Sequence, residues 1–599
     1  MSLKDVVMPQ VRFLPNGKKV DASLGDYLLE LARRAKVDLA GPCGGKALCG
    51  KCVVKIIEGK DKLSDPTDDE FFAIGVRKVQ EGYRLACRCR IIREGEVAVF
   101  VPCESRLEEH ALLVEGEMLE ERFDPALTCL RVKIPVRAYG SIVENLLQEF
   151  SFRLTALRKI SKLSSSESEK ELVIYNNEVI DVRDELRPLG FAADIGTTKV
   201  AGYLIDLKSG VLLAVASDLN PQIAYGEDVI SRIDYALRNG VEELRKKIID
   251  CLNKLIMRVC DAIQSTVEDI YEFVLVGNTV MQHFLLGLEP RTLAYFPYTP
   301  VTRSPLNVKA CELDLLGNPE AMVFIPPVIA GYVGSDVLAD IIATGMFREN
   351  DPEMLIDIGT NTEIVLKKGD KFLACSTASG PAFEGAHITH GMRAARGAID
   401  RIEISSNGEV KYTVIGDTRP MGLTGSAVVD VVAGLLSAGI IDESGRLKQL
   451  TNRVRIGKDG YLEFVIEYGE NTETGEDIVI TQKDIREIQL AKAAIRAGVN
   501  ILMKRLGVGP SDIKRLYIAG AFGFFTNPLS ARTIGLYPEI DVSRIRLVGN
   551  SAGAGARAML LSKSLRSLAY ELSQKIEHVE LAAEPDFQME FLKSISFSG

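Results

Sequence analysis

One short segment occurs twice, and it divides the chain. Phe191-Ala192-Ala193-Asp194-Ile195-Gly196-Thr197-Thr198 and Leu355-Ile356-Asp357-Ile358-Gly359-Thr360-Asn361-Thr362 each end an apolar run on aspartate, then give glycine and hydroxyls. Both continue into a second apolar run, Val200 to Asp206 and Ile364-Val365-Leu366, so each reads as strand–turn–strand. The aspartates stand 163 positions apart (357 minus 194). Solenoid and propeller repeats recur every ~20–50 residues, so this spacing means two lobes, each an α/β unit of domain size. A length of 599 residues leaves room for them, since about 150 residues per domain allows two to four units.

The repeated turn has a direct chemical reading. An aspartate at a strand end holds Mg²⁺ directly or through water. Gly196 and Gly359 let the backbone turn closely against phosphate, and Thr197, Thr198, Thr360, Asn361 and Thr362 offer hydroxyl and N–H donors to phosphate oxygens. Two copies in separate lobes make a clamp around a polyphosphate. A third element, Leu516 to Gly523, carries an apolar run into a Gly-rich turn, where Gly520, Phe522 and Gly523 permit close approach to a base or ribose. It follows residues 482–506, whose Ile485, Ile488, Ile495, Val499 and Leu502 repeat at helical spacing, with Thr481 and Asp484 as a capping pair. Gly549 to Gly555 is a further flexible turn at the nucleotide border. Glu384, after the second turn, is placed to orient an attacking water. Asn278 and His283 are cleft candidates, and His387 and His390 are read as structural despite their helical spacing, for want of a third ligand.

The cysteines cluster at the other end. Cys43-x₅-Cys49-x₂-Cys52 is followed by Cys87, on a loop with Gly41, Gly44, Gly45 and Gly50. Thiolates are soft ligands suited to zinc or an iron–sulfur cluster. Zinc usually arrives with two close cysteine pairs, which this layout lacks. Three close cysteines plus one distant one fit a [2Fe–2S] centre, and the glycines let N–H groups close around its sulfurs. Cys87 and Cys89 are two apart and would share a strand face, so either meets the geometry of the fourth ligand. Around this loop, Asn16-Gly17 signals a hairpin, Ser23 is a candidate helix cap, and strands are expected at residues 53–57 and 96–101.

Three resemblances follow from these motifs. The cysteine loop is similar to adrenodoxin-like [2Fe–2S] ferredoxins, whose Leu-Ala-Cys context matches Leu85-Ala86-Cys87 and selects Cys87. The paired Asp-x-Gly-Thr turns and residues 518–523 resemble the phosphate and adenosine motifs of the ASKHA superfamily, implying two RNase H-like lobes with ATP and Mg²⁺ between them. The whole chain resembles the reductive activators of corrinoid-dependent methyltransferase systems. That resemblance implies a multidomain α+β and α/β protein. It comprises a β-grasp ferredoxin-like domain (1–100), a linker (101–124), a small middle domain (125–186) and a two-lobed ATPase domain (187–599, lobes about 187–350 and 351–599). It further implies cluster ligands Cys43, Cys49, Cys52 and Cys87, and an activity that returns a Co(II) corrinoid protein to Co(I) using ATP and a low-potential electron donor. Asp194, Asp357 and Glu384 would serve hydrolysis.

Residues 104–123 are acidic and read as a connecting helix, residues 130–134 as a strand, residues 142–154 as a helix and residues 164–170 as an exposed loop. A net charge of −10 argues against bulk nucleic-acid binding. No apolar run reaches the ~18 residues of a membrane span, and the first residues lack an apolar signal core, so a cytoplasmic protein is expected. Nothing marks a dimer interface, though two-fold homodimers are the commonest assemblies. Two other classes fit parts of the chain: a small-molecule kinase with a redox-sensing ferredoxin domain, and a nucleotide-dependent redox scaffold. Both intact aspartates weigh against the scaffold.

Overall fold

The computed structural model describes residues 9–14, 17–35, 37, 39, 52–102, 123–134, 141–143, 150–162, 168–385, 387–416 and 418–597. At the N-terminus β1 (Gln10–Leu14) and β2 (Lys18–Asp21) pair antiparallel, with Gly17 at φ 65°. Ser23 does not cap the following helix. Asp26 instead accepts from the Ser23 N–H, and α1 (Leu28–Arg34) begins later. The apolar run after the cysteine loop forms β3 (Val53–Glu58). Then come α2 (Asp68–Ile74), β4 (Tyr83–Leu85) and β5 (Glu96–Phe100), giving a five-stranded sheet in the order β2-β1-β5-β3-β4 around its own core.

Residues 104–122 lie outside the described residues. A four-stranded sheet follows, from β6 (Leu127–Ile134), β7 (Ser151–Phe152), β8 (Ser168–Tyr175) and β9 (Glu178–Arg183) in the order β6-β8-β9-β7. Of the helix expected over residues 142–154, Ile142 and Val143 are helical and residues 144–149 lie outside the described residues. Its end is corrected, since Ser151 and Phe152 pair with Glu178 and Val179 as a strand and a separate helix runs over Leu154–Ser161. Ser168 to Lys170, expected in a loop, also pair as strand.

The next sheet comprises β10 (Leu189–Ile195), β11 (Lys199–Asp206), β12 (Leu212–Leu219), β13 (Ile270–Gly277), β14 (Leu306–Lys309) and β15 (Met322–Ile325). Its helices are α3 (Val229–Asn239), α4 (Glu242–Ile263), α5 (Thr279–Leu286) and α6 (Ser335–Thr344). β10 is central, and its near-continuous apolar run is buried on both faces.

The second lobe repeats the plan with β16 (Glu353–Ile358), β17 (Thr362–Lys368) and β18 (Lys371–Thr377). Two small sheets interrupt it: β19 (Ala398–Ile404), β20 (Val410–Val414) and β21 (Gly422–Leu423), then β22 (Val454–Ile456), β23 (Leu462–Glu467) and β24 (Ile478–Thr481). Helix α7 (Gly425–Ser437) lies between them. Helix α8 (Gln482–Leu506) starts on the expected Thr481–Asp484 capping pair and ends at Gly507. The lobe closes with β25 (Arg515–Ala519), α9 (Ala521–Phe525), β26 (Ile545–Gly549), α10 (Ser551–Leu561) and β27 (Ile576–His578). The shared topology is plain in the strand orders: β12-β11-β10-β13-β15 in one sheet, β18-β17-β16-β25-β26 in the other. Each begins as an antiparallel three-strand meander and adds parallel strands beside its first strand. α6 and α10 cross between the lobes so closely that a Cβ on Gly555 would sit 2.0 Å from the Ala339 carbonyl oxygen. Among the described residues no helix is long and apolar enough to cross a membrane.

Candidate functional site

Two sites are built on this frame. In the N-terminal sheet, β3 and β4 pair with Val53 opposite Leu85, and the Ala86 N–H donates to the Cys52 carbonyl at 2.9 Å. That register sets buried Cys52 beside buried Cys87. Cys43 and Cys49, with Gly41, Gly44, Gly45 and Gly50, lie outside the described residues. Residues 86–88 form a turn, so Cys87 and Cys89 do not share a strand face as their spacing suggested. Cys89 is fully buried in the core, and burial pushes its thiol up to about 12, which disfavours the thiolate a metal needs. The turn is locked from both sides. Buried Glu70 accepts from the Arg84 guanidinium at 2.7 and 3.0 Å and from the Leu85 N–H at 2.9 Å. The Leu29 and Leu28 N–H groups at the start of α1 donate to the Ala86 and Cys89 carbonyls.

The second site is a cleft of about 660 Å³ between the lobes, within the usual range for small-molecule sites. Asp194, Gly196, Thr197, Thr198, Asp357, Gly359, Thr360, Asn361, Glu384, Gly520 and Phe522 all line it. The two turns meet: the Thr198 and Thr360 hydroxyls are 2.8 Å apart, and Thr360 also donates to Glu384 Oε1 at 2.8 Å. Two expected residues do not face the cleft. Thr362 is fully buried within β17, its hydroxyl 2.8 Å from that of Ser379. Gly523 serves packing, because a Cβ there would lie 2.5 Å from Ile518 Cγ2 and lift α9 off β25. Gly520 is different: its φ is 84°, and a Cβ would stand 2.4 Å from the Ile358 carbonyl oxygen and 2.9 Å from Asp357 Oδ1. Beside it Phe383 and Phe522 stack with centroids 4.8 Å apart.

Asn278 lines the cleft, caps α5 through the Met281 N–H, and donates to the Thr197 hydroxyl at 3.1 Å. His283 does not reach it; its ring is buried between the Thr279 carbonyl and the Val301 N–H. His387 and His390 lie in turns rather than on a helix, and His387 meets Glu227 at 3.5 Å.

The floor of the cleft holds carboxyls that motif reading missed. Asp336 and Asp340 come from α6 and Glu363 from β17, facing Asp194 and Asp357. Burial alone pushes Asp194 up to about 6, while burial and repulsion from neighbouring carboxyls push Asp357 to about 7 and Asp336 to about 8 and hold Asp340 and Glu363 well above the carboxylate range. Asn550 donates to Asp194 at 2.9 Å and Ser551 to Asp340 at 2.5 Å, and Asp340 is also within hydrogen-bond reach of the Asp357 carboxyl. Such a floor suits a divalent cation. Among the described residues no group of three or more His, Cys, Asp or Glu side chains is placed to hold a metal ion by itself.

Comparison with known proteins places three family profiles along the chain. A 2Fe-2S iron-sulfur cluster binding domain matches residues 12–91, the RACo middle region matches 189–349, and the C-terminal ASKHA domain of RACo matches 351–599. The chain is 33% identical to the corrinoid activation enzyme RamQ of Eubacterium limosum, over 97% of this chain and 98% of that protein. It is 27% identical to a [Co(II) methylated amine-specific corrinoid protein] reductase of Methanosarcina barkeri, over 68% of this chain and 77% of the other. Among solved structures it matches a reductive activator for a corrinoid, iron-sulfur protein with a TM-score of 0.73 and 34% identity over 98% of both chains.

Proposed function

This chain belongs to the family of reductive activators of corrinoid proteins, and from that membership we propose that it is an ATP-hydrolysing activase that returns a Co(II) corrinoid protein to Co(I) for methyl transfer. Cys43, Cys49, Cys52 and Cys87 hold the [2Fe–2S] cluster, which supplies one-electron transfer when bound. A low-potential donor feeds it, and a reducing cytoplasm is the compartment that suits such thiolates. The energetic logic is simple. Each ~59 mV of uphill one-electron transfer costs roughly 1.4 kcal/mol, so a corrinoid a few hundred millivolts below its donor lies within reach of an ATP-driven change of shape.

In the cleft the Gly196–Thr198 and Gly359–Asn361 turns grip the polyphosphate from opposite lobes. Asp194 and Asp357 would hold Mg²⁺, directly or through water, and the ion would offset charge on the phosphates. Glu384, aligned by the Thr360 hydroxyl, orients the attacking water. Gly520 and the Phe383–Phe522 stack border the adenosine. Phosphate seated between the two turns would part the Thr198 and Thr360 hydroxyls that now touch, and with them the lobe spacing.

The observation that carries this reading is the near full-length match to a corrinoid activation enzyme, with the two facing turns as its physical counterpart. The test is anaerobic visible absorption of a Co(II) corrinoid protein mixed with this protein and a low-potential reductant. Co(I) growing in only with ATP supports the reading. Phosphorylation of a small molecule without any protein partner would replace it with the kinase.

A further inference from the structure

The first phosphate turn rests on a buried cation. Arg232, on α3, is 0% exposed and is among the largest fully buried side chains. Its Nη2 donates to the Thr197 carbonyl at 2.7 Å and its Nε to the Gly226 carbonyl at 2.8 Å, with Gln222 Oε1 3.4 Å from Nη1. Among the described residues no carboxylate lies within 4 Å of it; the nearest charge acting on it is Asp228, the N-cap of its own helix. Buried arginines are ordinarily paired, because an unpaired buried charge is costly.

The surroundings say what this one faces. The three successive carbonyls of the turn are all drawn away from the cleft: Gly196 by Asn220 Nδ2 at 2.9 Å, Thr197 by Arg232, and Thr198 by the Asn220 N–H at 2.9 Å. Asn278 fixes the Thr197 hydroxyl. Of these donors only Arg232 is charged. The carbonyl it holds shares a peptide group with the Thr198 N–H, so the guanidinium polarises that N–H as a donor from behind.

Resting on the reading of the cleft as a nucleotide site, we propose that Arg232 is a positioning residue for the polyphosphate: it fixes the Thr197–Thr198 peptide and supplies, from beneath the turn, the positive charge that the bound phosphates offset. It touches no phosphate itself. Recognition is therefore by charge through a peptide, and it concerns the phosphate part of the ligand alone.

The test uses the full-length protein, with isothermal titration of ATP and of adenosine against wild type, Arg232→Gln and Arg232→Lys, each checked for native far-ultraviolet circular dichroism. Arg232→Gln, which keeps a donor and loses the charge, is expected to weaken ATP at least about tenfold and leave adenosine within about twofold. Arg232→Lys, which keeps the charge, is expected to recover most of the ATP affinity. Unchanged ATP affinity in a folded Arg232→Gln protein, equal loss of ATP and adenosine, or equal loss in both variants would overturn the proposal. Absence of ATP binding by wild type would instead sink the nucleotide reading itself.

Discussion

In the first lobe seven positions separate Asp194 from its cross-strand partner Ala201 (201 minus 194); in the second, six separate Asp357 from Glu363 (363 minus 357). Cross-strand partners share a sheet face. The shorter turn therefore sets a second carboxyl opposite Asp357, where the first lobe has a methyl group. The braces differ in the same sense. Arg232 and two asparagine donors hold the first turn's carbonyls and hydroxyl. In the second, the Ser379 hydroxyl meets the Gly359 carbonyl at 3.1 Å and the Gly380 N–H meets that of Thr360 at 3.1 Å, all neutral. Near-identical motifs thus carry opposite charge: a cation under the first turn, added acid beside the second. On the proposed reading both turns grip the polyphosphate and both aspartates serve the metal, the extra positive charge lying under the first turn and the extra acid beside the second.

The largest effect that would break this contrast is at the acids. Asp357→Asn is expected to lower ATP hydrolysis on the order of a thousandfold, the several kcal/mol a metal ion supplies to transition-state charge, with the visible spectrum of the cluster unchanged. Retained hydrolysis would remove the second lobe from the chemistry. Next comes Gly520→Ala. A side chain at φ 84° against the Ile358 carbonyl should cost about 1–3 kcal/mol of stability and weaken ATP binding more than tenfold, read by thermal melting and titration.

The acid floor also predicts a pH dependence. Asp194, Asp357 and Asp336 sit at about 6, 7 and 8 in the folded protein, against about 4 unfolded. Between those values the folded state retains protons that the unfolded state has released. Stability without ligand therefore falls as pH rises from about 4 to about 8, and is fully present only below that window. Mg²⁺ with nucleotide should stabilise more at pH 8 than at pH 6; melting curves with the opposite trend would contradict the assignment. The smallest effect concerns the hydroxyl bridge. Thr360→Ala and Thr198→Ala each lose a hydrogen bond worth about 1 kcal/mol, and Thr360→Ala should slow turnover more, because Thr360 makes the 2.8 Å contact to Glu384 and Thr198 the lesser one.

The two strand–turn–strand units were legible because each apolar run ends on Asp-Ile-Gly-Thr, a strand edge followed by a glycine-bearing turn, and because the pattern occurs twice. The Thr481 cap and the extent of α8 were legible for the same local reason. What stayed hidden depends on partners distant in sequence. Asp336 and Asp340 sit one helical turn apart in an otherwise apolar helix, and Arg232 shares a face with Val229, Ile233 and Ala236. A charge on an apolar helical face was the available signal. Thr362 was misplaced because turn length, one residue shorter in the second lobe, decides which side chains leave the cleft. The strand at Ser151–Phe152 is made by its pairing with β9, which helical periodicity does not register.

The central claim is that the cluster and the clamp are parts of one machine. The most direct measurement is a single-turnover reduction: protein reduced beforehand, freed of reductant, and mixed anaerobically with a Co(II) corrinoid protein and Mg²⁺-ATP while Co(I) absorbance is followed. The account predicts up to one Co(I) per reduced cluster in wild type and none with Cys52→Ala or Asp357→Asn. Equal Co(I) in the Asp357→Asn protein, or in wild type without ATP, would contradict it.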